Sequence, residues 1–439
     1  MIKSLITKLK DRFSNNEGLG YLQIYNLQKT AVIVVISIIY AKFIKDPFLI
    51  NTWETLMLLG TGYTFFYVSG LGYTLVSFIK SYHKNVWPIV FRNTFILLFL
   101  FSCVSCLGII ITGLLYQTLA FPFQTVLLFC IYIIGTVCST VVEYIYFLNR
   151  AFKKLMLWGV LNFVLLIITP TLPLLMGYSF IYALYAMAAF GIIRLLFALG
   201  AINEPFNLKE LQYIQPLLKF NWPIIISLLL GTGYVYIANF IVKSQVNVVD
   251  FNLFRYGIRE FPVFLVLANS YSIVLSGITL EQHGTQNFWT DTRKSHLRLM
   301  HQIFPLACFF MVSSRFIYHY VFSVDFILSH YIFNILLFIL VARVMFPQSL
   351  LMGKGKTRYS FYSSLIEFVA GIGLVIVLTH YYGIIGTAWA IALAYIIEKI
   401  VLIGFCYREK IEFHKSIDWK WYIGYIMILI SSFILSSYY

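Results

Sequence analysis

Apolar runs too long for a soluble core constrain this chain more than any other feature. FILLFLFSCVSCLGIIITGLL, residues 95–115, passes 21 positions without a charge. A bilayer core is crossed by about 20 mostly apolar residues in a helix, and lipid leaves only helices and closed barrels able to satisfy their own backbone. Runs of this kind recur throughout: 60% of the residues are hydrophobic and 11% charged, against about 25% charged in soluble proteins. The chain reads as an all-α polytopic membrane protein. Spans are predicted near 22–43, 50–79, 89–115, 121–148, 155–176, 180–200, 218–242, 257–280, 299–322, 328–352, 359–379 and 383–407. A thirteenth candidate, 421–437, sits at the lower length limit for crossing.

Lysine and arginine collect on the cytoplasmic side of membrane proteins. Here they gather after even-numbered spans, as Lys80 and Lys84, Arg150, Lys153 and Lys154, Arg293, Lys294 and Arg298, Lys354, Lys356 and Arg358, then Arg408, Lys410, Lys415 and Lys420. Residues 117–120, 177–179 and 380–382 contain none; Lys45, Lys243 and Arg255 are the exceptions on that side. The alternation predicts twelve spans with a cytoplasmic N-terminus. It also absorbs the +15 net charge, which therefore does not imply nucleic acid. The first apolar run, 30–39, is followed by Tyr40-Ala41-Lys42 and not by a cleavage pattern, so it is expected to remain as a span. Ahead of it, Ile2, Leu5, Ile6, Leu9 and Phe13 share one helical face, with Lys3, Lys8, Lys10 and Arg12 largely elsewhere. That pattern predicts an interfacial amphipathic helix over 1–20 on an anionic leaflet.

Three motifs suggest soluble chemistry and fail on context. Gly355-Lys356-Thr357 ends like a phosphate-binding loop, but the first glycine it needs falls on Leu350 and no strand precedes it. Cys103-x-x-Cys106 lies inside an apolar run, where small packing residues are the ordinary reading. Histidines 83, 283, 296, 301, 319, 330, 380 and 414 show no ligand spacing. No metal, cofactor or catalytic constellation is predicted.

The chain also carries an internal repeat. The stretch from Leu148 and the stretch from Leu350 each have a basic turn, a span with one polar residue (Asn162, Glu367), a very short loop and another span. Arg194 and Glu398 then correspond at a shift of 204, as do Gly200 and Gly404. The predicted organisation is two six-helix bundles, 21–200 and 217–408, joined by a cytoplasmic linker over 201–216 and followed by a basic tail, 409–439. Parallel-topology halves around a central cavity are a transporter architecture.

Met352-Gly353-Lys354-Gly355-Lys356-Thr357, a span with a central acid, and Gly383-Ile384-Ile385-Gly386-Thr387-Ala388 together resemble the second half of polysaccharide flippases. These belong to the multidrug, oligosaccharidyl-lipid and polysaccharide exporter superfamily. Residues 252–262, NLFRYGIREFP, resemble the start of span eight in its O-antigen-type members. The resemblance implies a non-enzymatic protein of the bacterial cytoplasmic membrane that moves undecaprenyl-diphosphate-linked oligosaccharide to the outer leaflet by alternating access. It implies a cavity lined by spans one, two, seven and eight. Membrane lipids, a glycan polymerase and glycosyltransferases are the partners it suggests.

Ionisable residues within spans mark the candidate site. Each costs about 2.5–3.5 kcal/mol or more at a span centre, so it should face water or a partner. Arginine gives planar bidentate phosphate contacts and stays charged when desolvated. Lys29, Arg255, Arg259, Arg315 and Arg343 are the set expected to hold the diphosphate; Glu54, Glu143 and Glu367 are expected to gate or couple ions. Arg255 and Arg259, four apart, are predicted to share a face of span eight. Structural Arg–Glu pairing, such as Arg343 with Glu367, is the competing account of the same residues. Tyr63, Tyr67, Tyr234 and Tyr236 are candidates to stack on sugars, and Gly60, Gly62, Gly70, Gly72, Gly231 and Gly233 for close helix approach or bending.

Two other functions compete. A cation-coupled multidrug exporter of the same superfamily would favour an acidic pocket. A membrane glycan polymerase or ligase would need a large outer loop, and the longest here, 243–255, is about a dozen residues. The topology is directly testable. In a cysteine-free background Lys356→Cys should react with an impermeant maleimide only from the cytoplasmic side, and a cysteine placed at 177–179 only from outside.

Overall fold

The computed structural model describes residues 17–80, 82–116, 121–202, 208–259, 261–282, 287–356 and 358–438. Residues 1–16 of the expected interfacial helix and 203–207 of the expected linker lie outside them. Among the described residues every regular element is helical.

The helices follow the apolar runs and break where the sequence breaks them. α1 (Glu17–Ile39) continues into a π-helical turn, Tyr40–Ile44. α2 is Pro47–Lys80 and α3 Trp87–Leu115, the latter with proline in its first turn, where a missing N–H costs nothing. The fourth span divides at Ser139 into α4 (Phe123–Cys138) and α5 (Thr140–Leu148). α6 (Phe152–Leu175), α7 (Phe180–Ile202) and α8 (Ile214–Gln245) follow.

The eighth span departs from expectation. α9 (Val248–Gly257) is a separate short helix, N-capped by Asn247, whose side chain accepts from the Asp250 amide at 2.8 Å. α10 (Pro262–Gln282) begins only after a break. The residues read as the longest outer loop are therefore largely helical. α11 (Phe288–Phe316) ends in a second π-helical segment, Ile317–Phe322. The tenth span comes in three pieces, α12 (Ser329–Leu337), α13 (Ile339–Arg343) and α14 (Pro347–Gly353). α15 (Arg358–Arg408) holds two spans joined without a loop at Gly383, whose φ of 57° and ψ of −140° turn the chain. Only glycine enters that region cheaply.

Among the described residues ten helices are long and apolar enough to cross a membrane, α15 counting once; α2 and α10, in the places of spans two and eight, are outside that set. The last of the ten covers α16 (Trp419–Tyr438), the thirteenth candidate. It is packed along its length. Asp418, just ahead of it, pairs with Arg293 at 2.8 Å. Tyr422 donates to the Val341 carbonyl at 2.9 Å, the Tyr425 ring stacks on Phe304, and Asn334 donates to Ser436 at 3.0 Å. Twenty residues rise about 30 Å, enough for a bilayer core. This helix has the length, composition and packing of a further span.

The chain divides into two compact units. The first comprises residues 1–44 and 55–228, the second 45–54 and 229–439. Of the three changes of unit, the first follows Ile44 at the end of the π-helical turn, and the other two fall inside helices, α2 after Glu54 and α8 after Leu228.

Lipid is as apolar as leucine, so helices in it associate by close packing and internal hydrogen bonds. In the first unit α4 and α7 touch backbone to backbone. A Cβ on Gly135 would stand 2.0 Å from the Gly191 carbonyl oxygen, and one on Gly191 2.8 Å from the Tyr132 Cα. Ser105 of α3 donates to the Tyr63 carbonyl at 2.8 Å and to the Tyr67 hydroxyl at 3.2 Å, fixing α3 on α2. Tyr67 is thus packed inside its unit, not presented to a sugar, and at Gly60 and Gly72 the α2 backbone packs closely against Phe129 and Tyr144. In the second unit His296 shares a 2.6 Å hydrogen bond with the Val344 carbonyl, one of the backbone groups near the breaks of span ten.

Gly135→Ala should therefore force α4 off α7. Overpacking of this kind costs about 1–3 kcal/mol or more. The melting temperature of the detergent-purified protein should drop, while Gly200→Ala, whose added methyl meets nothing within 4 Å, should leave it unchanged.

Candidate functional site

The main charged cluster is built on one buried carboxylate in the second unit. Glu54, near the start of α2, has a side chain 1% exposed. Arg255, in the last turn of α9, brings Nε to Glu54 Oε2 at 3.1 Å. Arg259, in the break between α9 and α10, donates from a terminal nitrogen to Glu54 Oε1. The two arginines therefore do not share a helical face, as their spacing suggests. The break that ends α9 swings Arg259 round so that both converge on the same acid.

Other groups complete the cluster. Arg255 also donates to Asn239 Oδ1 of α8 at 2.9 Å. The Arg259 guanidinium lies 4.6 Å from the Tyr256 ring centre, an arrangement favoured between cations and aromatic faces. Tyr256 stacks on Phe326 with centroids 4.1 Å apart, and its carbonyl accepts from the Tyr318 hydroxyl at 3.0 Å. Counting only these three described residues, two guanidinium charges and one carboxylate carry a formal charge of +2 − 1 = +1. Lys243, one of the exceptions in the charge alternation, is held nearby on the same unit, donating to Asn51 with Nζ 4.6 Å from the Phe251 ring centre.

Arg343 ends α13, its guanidinium 5.4 Å from the Tyr395 ring centre. Arg259 and Arg343 both line a crevice walled by Phe261, Phe264, Phe333 and the leucines of span ten. Arg315 is exposed, in the last turn of α11.

Glu367 sits elsewhere in the second unit. It is buried within reach of the Tyr234 hydroxyl, with Glu398 and Lys399 as charged neighbours, and these last two pair at 2.7 Å. The Tyr234 ring packs where Gly371 has no side chain; a Cβ there would be 2.6 Å from its Cδ2. Tyr234 is buried and donates to the Ile391 carbonyl at 3.3 Å, so it too packs internally.

The first unit repeats this construction. Tyr25 packs on Gly159, and its hydroxyl is within reach of Glu143. Lys29 binds both Glu143 oxygens at 3.0 Å, the lysine side chain 46% exposed and the glutamate 6%. Arg194 faces the same tyrosine and glutamate, its guanidinium 5.7 Å from the Trp158 ring centre. Arg194 and Glu398, paired by the sequence repeat, thus each stand beside the tyrosine of their unit.

The basic turn of the GKGKT stretch is occupied by an acid. Lys356 pairs with Glu409 at 2.8 Å, and Tyr359 donates to the same carboxylate at 2.5 Å. The Lys356 hydrogen bond, with help from Tyr359, holds the Glu409 carboxyl below its usual range. A depressed folded pKa means this latch is intact above the ordinary glutamate range and weakens as pH falls through the lower folded value.

No family profile matches the chain, and no curated protein matches it in sequence. Solved structures do match in fold. The lipid II flippase MurJ, in an inward closed conformation, aligns over 95% of this chain and 97% of its own, with a TM-score of 0.57 and 14% identity. An inward-facing multidrug-resistance MATE transporter of the MOP superfamily aligns over 88% and 94%, with a TM-score of 0.57 and 16% identity. The eukaryotic MATE transporter AtDTX14 aligns over 90% and 96%, with a TM-score of 0.63 and 11% identity. The chain has the polytopic all-α fold of MOP-superfamily transporters.

Sequence reading found the charged residues but missed Asn239, Tyr256 and Tyr395, which hold three of the arginines. Asn239, a lone amide in the run YVYIANFIV, carried a readable signal; the two tyrosines, among 32, carried none.

Removing one member of a buried ionic cluster costs about 3–5 kcal/mol. Glu54→Ala should therefore lower the melting temperature and the yield of folded protein. Replacing Arg255 and Arg259 by methionine in the same variant should recover much of the loss.

Proposed function

We propose that this protein is a flippase that moves undecaprenyl-diphosphate-linked oligosaccharide from the inner to the outer leaflet of a bacterial cytoplasmic membrane by alternating access. The observation that carries this reading is the cluster at Glu54, where two partly buried arginines share one buried carboxylate. A group built this way attracts an anion within the membrane. The arginine fork matches a diphosphate in geometry as well as charge. The fold shared with a lipid II flippase supports the same direction.

In this reading Arg255, Arg259, Arg315 and Arg343 of the second unit engage the diphosphate, and Lys29 of the first unit is a further cationic candidate. Glu54 competes with it for Arg255 and Arg259 and acts as a gate. Glu143 and Glu367 respond to movement of their partners, since a buried carboxylate changes charge cheaply only when the groups around it move. The multidrug exporter alternative also shares its fold with solved neighbours. It calls for an acidic pocket, and the net positive charge at Glu54 favours the anionic substrate.

Arg259→Ala should stop surface glycan export in a flippase-null strain and trap the lipid-linked unit in the inner leaflet. Arg259→Lys should be partly active. Protein levels are checked by blot. Intact export after alanine substitution at each of the five cationic positions in turn would end the proposal.

A further inference from the structure

Three helices of the second unit meet at Glu54 in two successive rungs, and α2, α8 and α9 each give one side chain to each rung. In the first, Glu54 of α2 accepts from Arg255 of α9, and Arg255 Nη1 goes on to Asn239 Oδ1 of α8 at 2.9 Å. In the second, one turn away, Lys243 of α8 donates to Asn51 of α2, with its Nζ 4.6 Å from the ring centre of Phe251 of α9. The spacings are those of single helix faces: 51 and 54 on α2, 239 and 243 on α8, 251 and 255 on α9. The partners of the cations differ in kind. Glu54 is an acid. Asn239 and Asn51 are amides, and an aspartate of nearly the same shape would make a stronger, charge-assisted bond in either place. Asn239 is 2% exposed, and both ends of its amide are used. Its Nδ2 donates to the Val235 carbonyl at 2.7 Å, which turns Oδ1 towards Arg255. An amide held in this way orients a guanidinium and subtracts nothing from its charge.

We propose that Asn239 and Asn51 set the charge selectivity of this site: as neutral acceptors they hold Arg255 and Lys243 in place, and leave the positive charge that Glu54 does not cancel to an anion brought from outside. They are positioning residues, and Lys243 becomes a further cation of the site. The inference rests on the flippase reading for the claim that an anion enters, and adds to it what keeps the place open to one. Aspartate at 239 or 51 would be a second internal counter-ion beside Glu54, held to the cations permanently. A unit charge added at hydrogen-bond distance outweighs the change in any single hydrogen bond.

The test uses the full-length protein purified in detergent, with inorganic pyrophosphate as the probe at constant ionic strength. A ligand that binds the folded state raises the melting temperature, so wild-type protein should be stabilised as pyrophosphate is added. Asn239→Asp should need at least about tenfold more pyrophosphate for the same shift. Its melting temperature without probe should be held at or above that of wild type by the new pairing with Arg255. Asn51→Asp should behave in the same way at the second rung, and carries the test where the first variant does not fold. Asn239→Ala removes the acceptor without adding charge and should weaken the response less than Asn239→Asp. The inference is overturned by any of three results: no stabilisation of wild type, an unchanged response in the aspartate variants, or equal losses for aspartate and alanine at 239. Failure of the two readings is separable. If the aspartate variants lose the pyrophosphate response while surface glycan export persists in them, the anion site stands and the flippase reading falls. If Arg259→Ala stops export while both aspartate variants export and respond as wild type does, the inference alone falls.

Discussion

An ion inside a membrane must have a counter-ion, and in this protein that rule organises the polar interior. Glu54 is the clearest instance. One carboxylate, 1% exposed, takes a guanidinium on each oxygen. It thereby ties the start of α2 to the end of α9 and to the break that follows it. The same rule accounts for Lys29 on Glu143 and Lys399 beside Glu398. Aromatic faces also lie against cations, as at Arg194 and Arg343. The polar interior of each unit is a set of such arrangements joined by apolar helix packing.

The all-helical class was legible because the bilayer imposes a length. Any run of about 20 apolar residues must be a helix there, so positions 95–115 or 180–200 leave little freedom. Breaks were less legible, because they depend on who packs against whom. The sequence placed one span at 257–280, whereas the chain makes α9, turns, and begins α10 at Pro262. Pro262 and Asn247 are ordinary break and cap signals; the apolar stretch around them hid their weight. The repeat was visible as a shift of 204. Its structural meaning lay in residues that shift does not align, Tyr25 and Tyr234, each seated on a glycine.

The site was legible as a list of charges and not as a geometry. Composition identifies Glu54, Arg255 and Arg259 as costly, since each needs a partner. It cannot say that all three choose one another, because Glu54 is about two hundred residues from the arginines, 201 and 205 positions in the hydrogen bonds themselves. The four-residue spacing of the arginines pointed to a shared helical face; the chain reaches the same convergence by leaving the helix between them. Two of the tyrosines that were candidates to stack on sugars are packing residues, the ordinary reading of such positions, since a hydrogen-bonded phenol is an economical way to fill space between membrane helices. Tyr67 and Tyr234 both do so.

On the proposed function, the shared carboxylate changes what recognition means at this place. Arg255 and Arg259 already hold an anion, and it is covalently part of the chain. Any negatively charged visitor must trade places with Glu54, so the event is an exchange of one anion for another and not the filling of a vacant socket. The free energy of such an exchange is a difference between two strong attractions. It stays small even when each attraction is large. On the proposed function, Glu54 would be an internal competitor whose departure and return set how long a visitor stays.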